Sequence, residues 1–235
     1  MFNTELRNYA LKDDPWSSHT RIKNRLILLP TGSKVLDVGT ADGILGMLCF
    51  GEDLLLFGLE PNKELAELAQ PYYEDVKNCS LEDTSEDYLR DYDVVVCGDV
   101  LEHLVFPGTE LKRLVDLQKP GTRFIISVPN IANLWIRLSL LFGYFEYSDR
   151  GILDHTHLRF FTKKTLFKML NLVGLQINHC YVTPVPLVLV NPMFQVRSLG
   201  RFIYRLLAKV SDWFPTILGY QFIVEAEKRS NDYEQ

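Results

Sequence analysis

The chain has 235 residues, 47% of them apolar, with a formal net charge of -5 and a sequence pI near 5.6. The apolar content argues against global disorder, and the length suits one large α/β domain over 1–235 better than two. The acidic balance argues against a duplex nucleic-acid partner, because phosphate-driven binding draws on a basic surplus.

In chain order, the opening MFNTELRNYALKDDPW has no basic region followed by an apolar stretch. No signal peptide is expected, and the reading is cytoplasmic. A helical pattern over 21–29 precedes an apolar strand at 34–38. A second strand, 54–59, leads through Pro61 into a helix at 62–69. The next strand is 93–97, followed by a helix over 108–118 that ends at Lys119-Pro120-Gly121, a stop signal and a turn. A strand at 123–128, a helix at 162–173 opened by Thr162 and closed by Gly174, and strands at 175–183 and 220–228 complete the series.

Strands that are continuously apolar and alternate with helices predict a parallel sheet covered on both faces. Cys49, Cys79, Cys97 and Cys180 are far apart, contain no CxxC pair and read as free thiols. Two segments break the alternation, 129–161 and 184–219. Both leave from strand ends, where open α/β sheets bind ligands, so both are expected to form substrate-cap insertions within the domain. Their apolar windows, 131–147 and 199–218, are interrupted by charges, Gly or Pro and fall short of a membrane-spanning run.

The motif with the most chemistry is Val35-Leu-Asp37-Val-Gly39-Thr40-Ala41-Asp42-Gly43. An acid at a strand end is followed by a glycine turn entering a helix, which lets backbone approach a ligand closely. The pattern is G-x-A-x-G-x-x-G rather than the dinucleotide G-x-G-x-x-G. Glu60 ends the second strand, 21 residues after Gly39, where an acid can accept hydrogen bonds from both hydroxyls of a ribose. Asp37 before the turn suits an ammonium group better than a pyrophosphate. The run Asp93-Val-Val-Val-Cys97-Gly98-Asp99-Val-Leu-Glu102-His103-Leu104 adds acids and a histidine just after the next strand.

Together with LQKPGTRFIISVPN, these motifs resemble the class I S-adenosylmethionine methyltransferases over residues 34–174, and among them the ubiquinone-biosynthesis-type O-methyltransferases. The resemblance implies a doubly wound, mostly parallel seven-stranded Rossmann-like sheet with an antiparallel last strand and helical cap insertions. It implies that Asp37, Gly39, Thr40, Ala41, Asp42 and Gly43 line the methionine and ribose of S-adenosylmethionine. Glu60 would hold the ribose diol, with Pro61 and Asn62 beside the adenine. Ser80 and Leu81 would meet the adenine edge, and Cys97 and Gly98 would pass near the methionine. Relatives usually carry glycine at Ala41 and often an aspartate at Ser80.

Methyl transfer needs alignment and a proton acceptor, so His, carboxylate or metal is sought near the later strand ends. If the Asp99-x-x-Glu102-His103 segment is helical, its three side chains share one face and can hold a divalent ion. The run Asp154-His155-Thr156-His157-Leu158-Arg159 follows. Small-RNA 3′-end 2′-O-methyltransferases look similar here and hold a magnesium-type ion. That likeness puts Asp99, Glu102, His103 and His157 forward as ligands of Mg2+ or Mn2+, with Asp99 standing where those families usually have Glu. His157, His103 and Asp99 are the catalytic candidates. His155 reads as a wall residue and Arg159 as the partner of Asp154, while His19 and His179 carry no signal.

On the acceptor side, Trp135, Phe142, Tyr144, Phe145, Tyr147, Phe194, Phe202, Tyr204, Trp213 and Phe214 predict a bulky or partly apolar acceptor. Arg197, Arg201, Arg205 and Lys209 recur every four residues with Phe202, Ile203, Leu206, Leu207 and Val210 largely opposite. Such a helix suits peripheral membrane contact. The ordinary alternative, a solvated basic face over a core-facing apolar stripe, is the preferred reading. The functional expectation is O-methylation of a hydroxyl on a small molecule, glycan, or lipid-like or quinone-like acceptor. An RNA-end 2′-O-methyltransferase and a catalytically silent cofactor-binding scaffold are the alternatives.

Overall fold

The computed structural model describes residues 14–187 and 198–230. Seven strands form one sheet: β1 (Ser33–Val38), β2 (Leu54–Leu59), β3 (Asp75–Lys77), β4 (Val94–Gly98), β5 (Arg123–Pro129), β6 (Leu175–Thr183) and β7 (Gln221–Lys228). Their spatial order is β3-β2-β1-β4-β5-β7-β6, and β7 runs antiparallel to both of its neighbours. The order reverses between β1 and β4, so a crevice opens beyond their carboxyl ends, the usual ligand site of such sheets. The fold class read from the sequence is the one observed. β3 had no sequence signal because it is only three residues long.

Successive strand residues point to opposite faces, and both faces are covered. Val35, Val94, Val96 and Ile125 pack on Ile22, Leu26 and Leu45 on one side. Leu36, Val95, Cys97, Phe124 and Ile126 pack on Leu111, Leu114, Leu166 and Leu170 on the other. That is why the central strands carry continuous apolar runs, such as Val94–Cys97 and Phe124–Ile126, instead of alternating. Each such side chain contributes about 1.5–3 kcal/mol of burial.

The helices are α1 (Ser18–Leu26), α2 (Ile44–Leu48), α3 (Lys63–Ala69), α4 (Pro107–Leu117), α5 (Leu134–Leu141), α6 (Lys163–Leu172), α7 (Ser198–Trp213) and α8 (Pro215–Leu218). Their starts follow local chemistry. Asn62 accepts from the backbone N–H groups of Glu64 and Leu65 at 3.0 and 3.2 Å, and Thr162 forms a reciprocal capping box with Thr165. Gly174, at φ +92°, ends α6 in the left-handed conformation.

The insertions become helices at the carboxyl edge of the sheet. Asn130 Nδ2 donates to the carbonyl oxygens of Thr216 and Gly219, and Asn133 Nδ2 donates to that of Gly219, so the entry to α5 is stitched to the end of α8. Among the described residues no helix is long and apolar enough to cross a membrane. No described cysteine is in a disulfide, and Cys49 and Cys97 are buried.

One expectation is reversed. In α7 the residues facing the body are Gly200, Tyr204, Ala208 and Ser211, while Phe202, Ile203 and Leu206 are 64%, 43% and 53% exposed. The helix is held in that orientation by Tyr204, whose hydroxyl donates to Asp14 Oδ2 at 2.6 Å, and by Asp212, 3.6 Å from the Arg21 guanidinium. The apolar stripe therefore points outward rather than into the core. Phe194 and Arg197 lie outside the described residues, as does the opening segment 1–13.

Candidate active site

The glycine turn after β1 is clamped to the end of β2. Gly39 and Thr40 donate their backbone N–H groups to the Leu59 carbonyl at 2.8 and 3.0 Å. Gly39 and Gly43 sit at φ +76° and +83°, and a Cβ on Gly43 would lie 2.7 Å from the Ala69 Cα. Both the left-handed backbone and the close approach of α3 demand glycine there. Ala41 takes the same left-handed region at φ +48°, an uncommon place for a side-chain-bearing residue.

Glu60 is buried and its carboxylate is held by backbone: Oε2 accepts from the Ala41 N–H and Oε1 from the Asn62 N–H, both at 2.9 Å. Asn78, which the sequence reading missed, donates Nδ2 to the carbonyls of Glu60 and Pro61 at 2.9 Å each. Pro61 and Asn62 are exposed at this rim. Nearby, Ser80 donates to Asp83 Oδ2 at 2.8 Å and so caps its own turn, with Leu81 buried beneath.

Asp37 is buried near the carboxyl end of β1, and Tyr73, also missed, donates its hydroxyl to Asp37 Oδ2 at 2.6 Å. The same Tyr73 oxygen accepts the Gly46 N–H at 3.1 Å. Burial pushes the Asp37 carboxyl up to about 7, with the Tyr73 hydrogen bond opposing and nearby Glu60 reinforcing the rise. A carboxyl so poised gains from an incoming ammonium. Asp42 is half-buried, and its Oδ1 has no hydrogen-bond partner among the described residues. Cys97 points into the core, where burial raises its thiol to about 12, leaving it a spacer beside Gly98 rather than a nucleophile.

After β4 the backbone turns sharply. Asp99 has φ +56°, and the next residues form a short 3-10 turn, Leu101–His103, rather than an α-helix. This overturns the shared-face expectation. Asp99 swings back to the sheet, where its Oδ1 accepts from the Ser127 hydroxyl at 2.9 Å and its Oδ2 from Gln221 Nε2 at 2.8 Å. It is absent from the cluster that does form: Glu102, His103 and His157 each offer a ligand-type atom within 4.8 Å of the others. The His103 and His157 rings stand edge to face with centroids 4.8 Å apart. Val100, just before them, approaches Gly39, so the cluster adjoins the cofactor turn.

The protonation pattern follows from the hydrogen bonds. His157 Nδ1 is 3.1 Å from the Ile152 carbonyl oxygen, which can only accept, so Nδ1 donates and Nε2 is the ring nitrogen left for other partners. Likewise His103 Nδ1 is 3.3 Å from the Thr156 carbonyl oxygen and 3.2 Å from the Thr156 hydroxyl. That hydroxyl has given its own proton to Asp154 at 2.7 Å. Burial and the neighbouring His157 hold the His103 imidazole below its ordinary range, which favours its neutral form.

Both oxygens of Glu102 are buried without a hydrogen-bond partner among the described residues. Burial, with Asp99 nearby, raises its carboxyl well above the usual range. Arg159 does not pair with Asp154 as expected. It donates from Nε and Nη2 to the Val105 carbonyl at 3.0 and 2.6 Å, because Asp154 is occupied by the Thr156 N–H and hydroxyl. His155 is exposed beside Asp149.

The comparisons agree with this geometry. The family model described as a methyltransferase domain matches residues 13–179. The ubiquinone biosynthesis O-methyltransferase of Vibrio atlanticus is 31% identical over 154 residues, 62% of this chain and 64% of that protein. The enzyme of the same name from Vibrio vulnificus is 31% identical over 149 residues, 60% of this chain and 62% of that protein. The chain thus matches under two thirds of the length of these relatives. Among solved structures, magnesium protoporphyrin IX methyltransferase from Synechocystis with bound S-adenosylhomocysteine superposes with a TM-score of 0.59 at 18% identity, covering 89% of this chain and 83% of that one. With the acid-ended strands, the glycine turn and the sheet order in place, the chain belongs to the methyltransferase-domain family, of the S-adenosylmethionine-dependent class.

Proposed function

We propose that the protein transfers the sulfonium methyl of S-adenosylmethionine to a hydroxyl oxygen of a small-molecule, glycan or lipid-like acceptor, with a quinone-like phenol the favoured class. The observation that carries this reading is the imidazole pair of His103 and His157 beside the turn after β1, with His157 Nδ1 fixed on the Ile152 carbonyl. S-adenosylmethionine, when bound, would supply an electrophilic methyl to the acceptor oxygen, and His157 Nε2 would take the proton that the hydroxyl releases. Fixing Nδ1 on a carbonyl keeps Nε2 free for that proton, as a general base requires. Exposed Trp135, Phe142 and Tyr144 on and after α5 offer apolar surface for the acceptor.

The same cluster fits a divalent ion. Two imidazoles and a buried carboxyl whose oxygens have no hydrogen-bond partner among the described residues form a mixed nitrogen–oxygen set, and a cation would offset the burial that raises Glu102. Glu102, His103 and His157 would hold it, His157 through the same Nε2 that would otherwise take the proton, so the ion and the His157 base are alternatives; Asp99 stands outside the set. When bound, such an ion would acidify a coordinated hydroxyl. The names of the relatives, which are O-methyltransferases of a quinone pathway, support the acceptor class.

The test is methyl transfer to catechol-type and other hydroxylated acceptors by wild type and His157→Ala, read by mass, beside the affinity of each for S-adenosylhomocysteine. Loss of a positioned general base lowers turnover by about 10²–10⁴-fold while cofactor affinity stays. Full turnover in His157→Ala would sink the assignment. A wild type that binds the cofactor product and methylates no hydroxyl would leave the silent scaffold standing.

A further inference from the structure

We propose that the outer face of α7 docks the protein onto an anionic membrane surface, a role independent of which acceptor is methylated. The helix is seated by Tyr204 on Asp14 and by Asp212 near Arg21, so its outward face is set by the fold. That face carries Leu199, Phe202 and Leu206, each more than half exposed. Water is a costly neighbour for so much contiguous apolar surface, and a helix folded around its own core would have turned the stripe inward.

Charge selects the occupant. Arg201, Arg205 and Lys209 follow the stripe at four-residue spacing, and none of them forms an ion pair among the described residues. The one acid of the helix, Asp212, is engaged by Arg21. A local excess of cations beside exposed apolar side chains, on a chain whose net charge is -5, matches anionic headgroups lying over acyl chains. Against the same face of a second copy, Arg201, Arg205 and Lys209 would meet their own like charges. Trp213 and Phe214, also exposed, continue the apolar surface toward α8, whose end is stitched to α5 beside the catalytic crevice. A protein lying on α7 would hold that crevice near the membrane plane, where a lipid-soluble acceptor is concentrated.

The experiment is cosedimentation of the full chain with vesicles of phosphatidylcholine alone and of phosphatidylcholine and phosphatidylglycerol in equal parts. Binding is expected to the mixed vesicles, weakening as salt rises, and not to phosphatidylcholine alone. Arg205→Gln with Lys209→Gln should weaken it about fivefold per cation, roughly 25-fold together. Phe202→Asp with Leu206→Asp should abolish it. Each variant must keep the thermal shift given by S-adenosylhomocysteine, which separates lost docking from lost folding. The assay contains no acceptor and reads no methyl transfer, so its failure leaves the catalytic proposal untouched. Absent binding by the wild type, or variants that bind as well as it does, would overturn the docking face. A solution dimer dissociated by Leu206→Asp would overturn it too, by assigning the face to a second copy.

Discussion

The two ends of the crevice are finished to different degrees. At the end proposed for the cofactor, Asp37 Oδ2 accepts a tyrosine hydroxyl, both Glu60 oxygens accept backbone N–H groups, and the turn between them is fixed to β2. Asp42 Oδ1 is the exception there. At the acceptor end, Glu102 is buried with no partner among the described residues, and residues 141–150 are exposed throughout, five of them apolar or aromatic. The first end is held by hydrogen bonds within the fold. The second carries polar and apolar groups that have no such partners among the described residues. Preorganised groups give affinity because little ordering is left to do on binding, whereas unpaired ones record where a ligand belongs.

The largest way to test the contrast is through Asp37. Its carboxyl is raised by burial from 3.8 to about 7 in the folded protein, so the native state holds a proton that the unfolded chain has released over that interval. Stability contributed by this group is therefore greatest below about pH 4 and falls as pH rises toward 7, by on the order of 4 kcal/mol in full. Asp37→Asn should flatten that part of the stability–pH curve in urea melts while losing the response to S-adenosylhomocysteine. A slope that survives the substitution would mean that Asp37 is not the poised group, and that the cofactor end is less preorganised than its hydrogen bonds suggest.

Glu60→Ala comes next. Ligand at about 100 times its dissociation constant adds roughly 2.7 kcal/mol, or about 5–10 °C for a chain of this length. Wild type should show that shift with S-adenosylhomocysteine in a thermal melt, and the variant should not. A shift retained in Glu60→Ala would move the ribose contact elsewhere on the rim.

These predictions rest on the half of the site that was legible in the sequence. Asp37, the Gly39–Gly43 turn and Glu60 act from fixed places on a strand–turn–helix unit, so their order along the chain is their order in space. Tyr73, Asn78, Ser127 and Gln221 were not legible, because each reaches its partner across the fold. Tyr73 and Asp37 are 36 residues apart, and Gln221 and Asp99 are 122 apart. Asp99 misled for a local reason: spacing assumed a helix, and a single left-handed residue turned the side chain away. The strands and most helices were readable from apolar runs and caps, with boundaries a residue or a few off. The orientation of α7 was not, because an amphipathic pattern reveals two faces without saying which one meets the core. Tyr204 and Ala208, a bulky polar-tipped residue and a small one, took the inner face from Phe202 and Leu206.

The smallest effect sharpens the acceptor end. If Glu102 has no partner within the protein, replacing its carboxyl by an amide removes an unpaired acid from a buried position and breaks nothing. Glu102→Gln should therefore raise the melting temperature of the ion-free protein by about 2–4 °C, equivalent to roughly 1 kcal/mol. The same variant should lose any stabilisation that Mn2+ confers on the wild type, since the carboxylate is the one anionic member of the cluster. Opposite signs in the two arms of one melt are the signature of a side chain kept for a ligand at a cost to the fold. A loss of about 2–4 °C in the ion-free protein, roughly 1 kcal/mol the other way, would show instead that Glu102 is satisfied from within, and the acceptor end would then be as finished as the cofactor end.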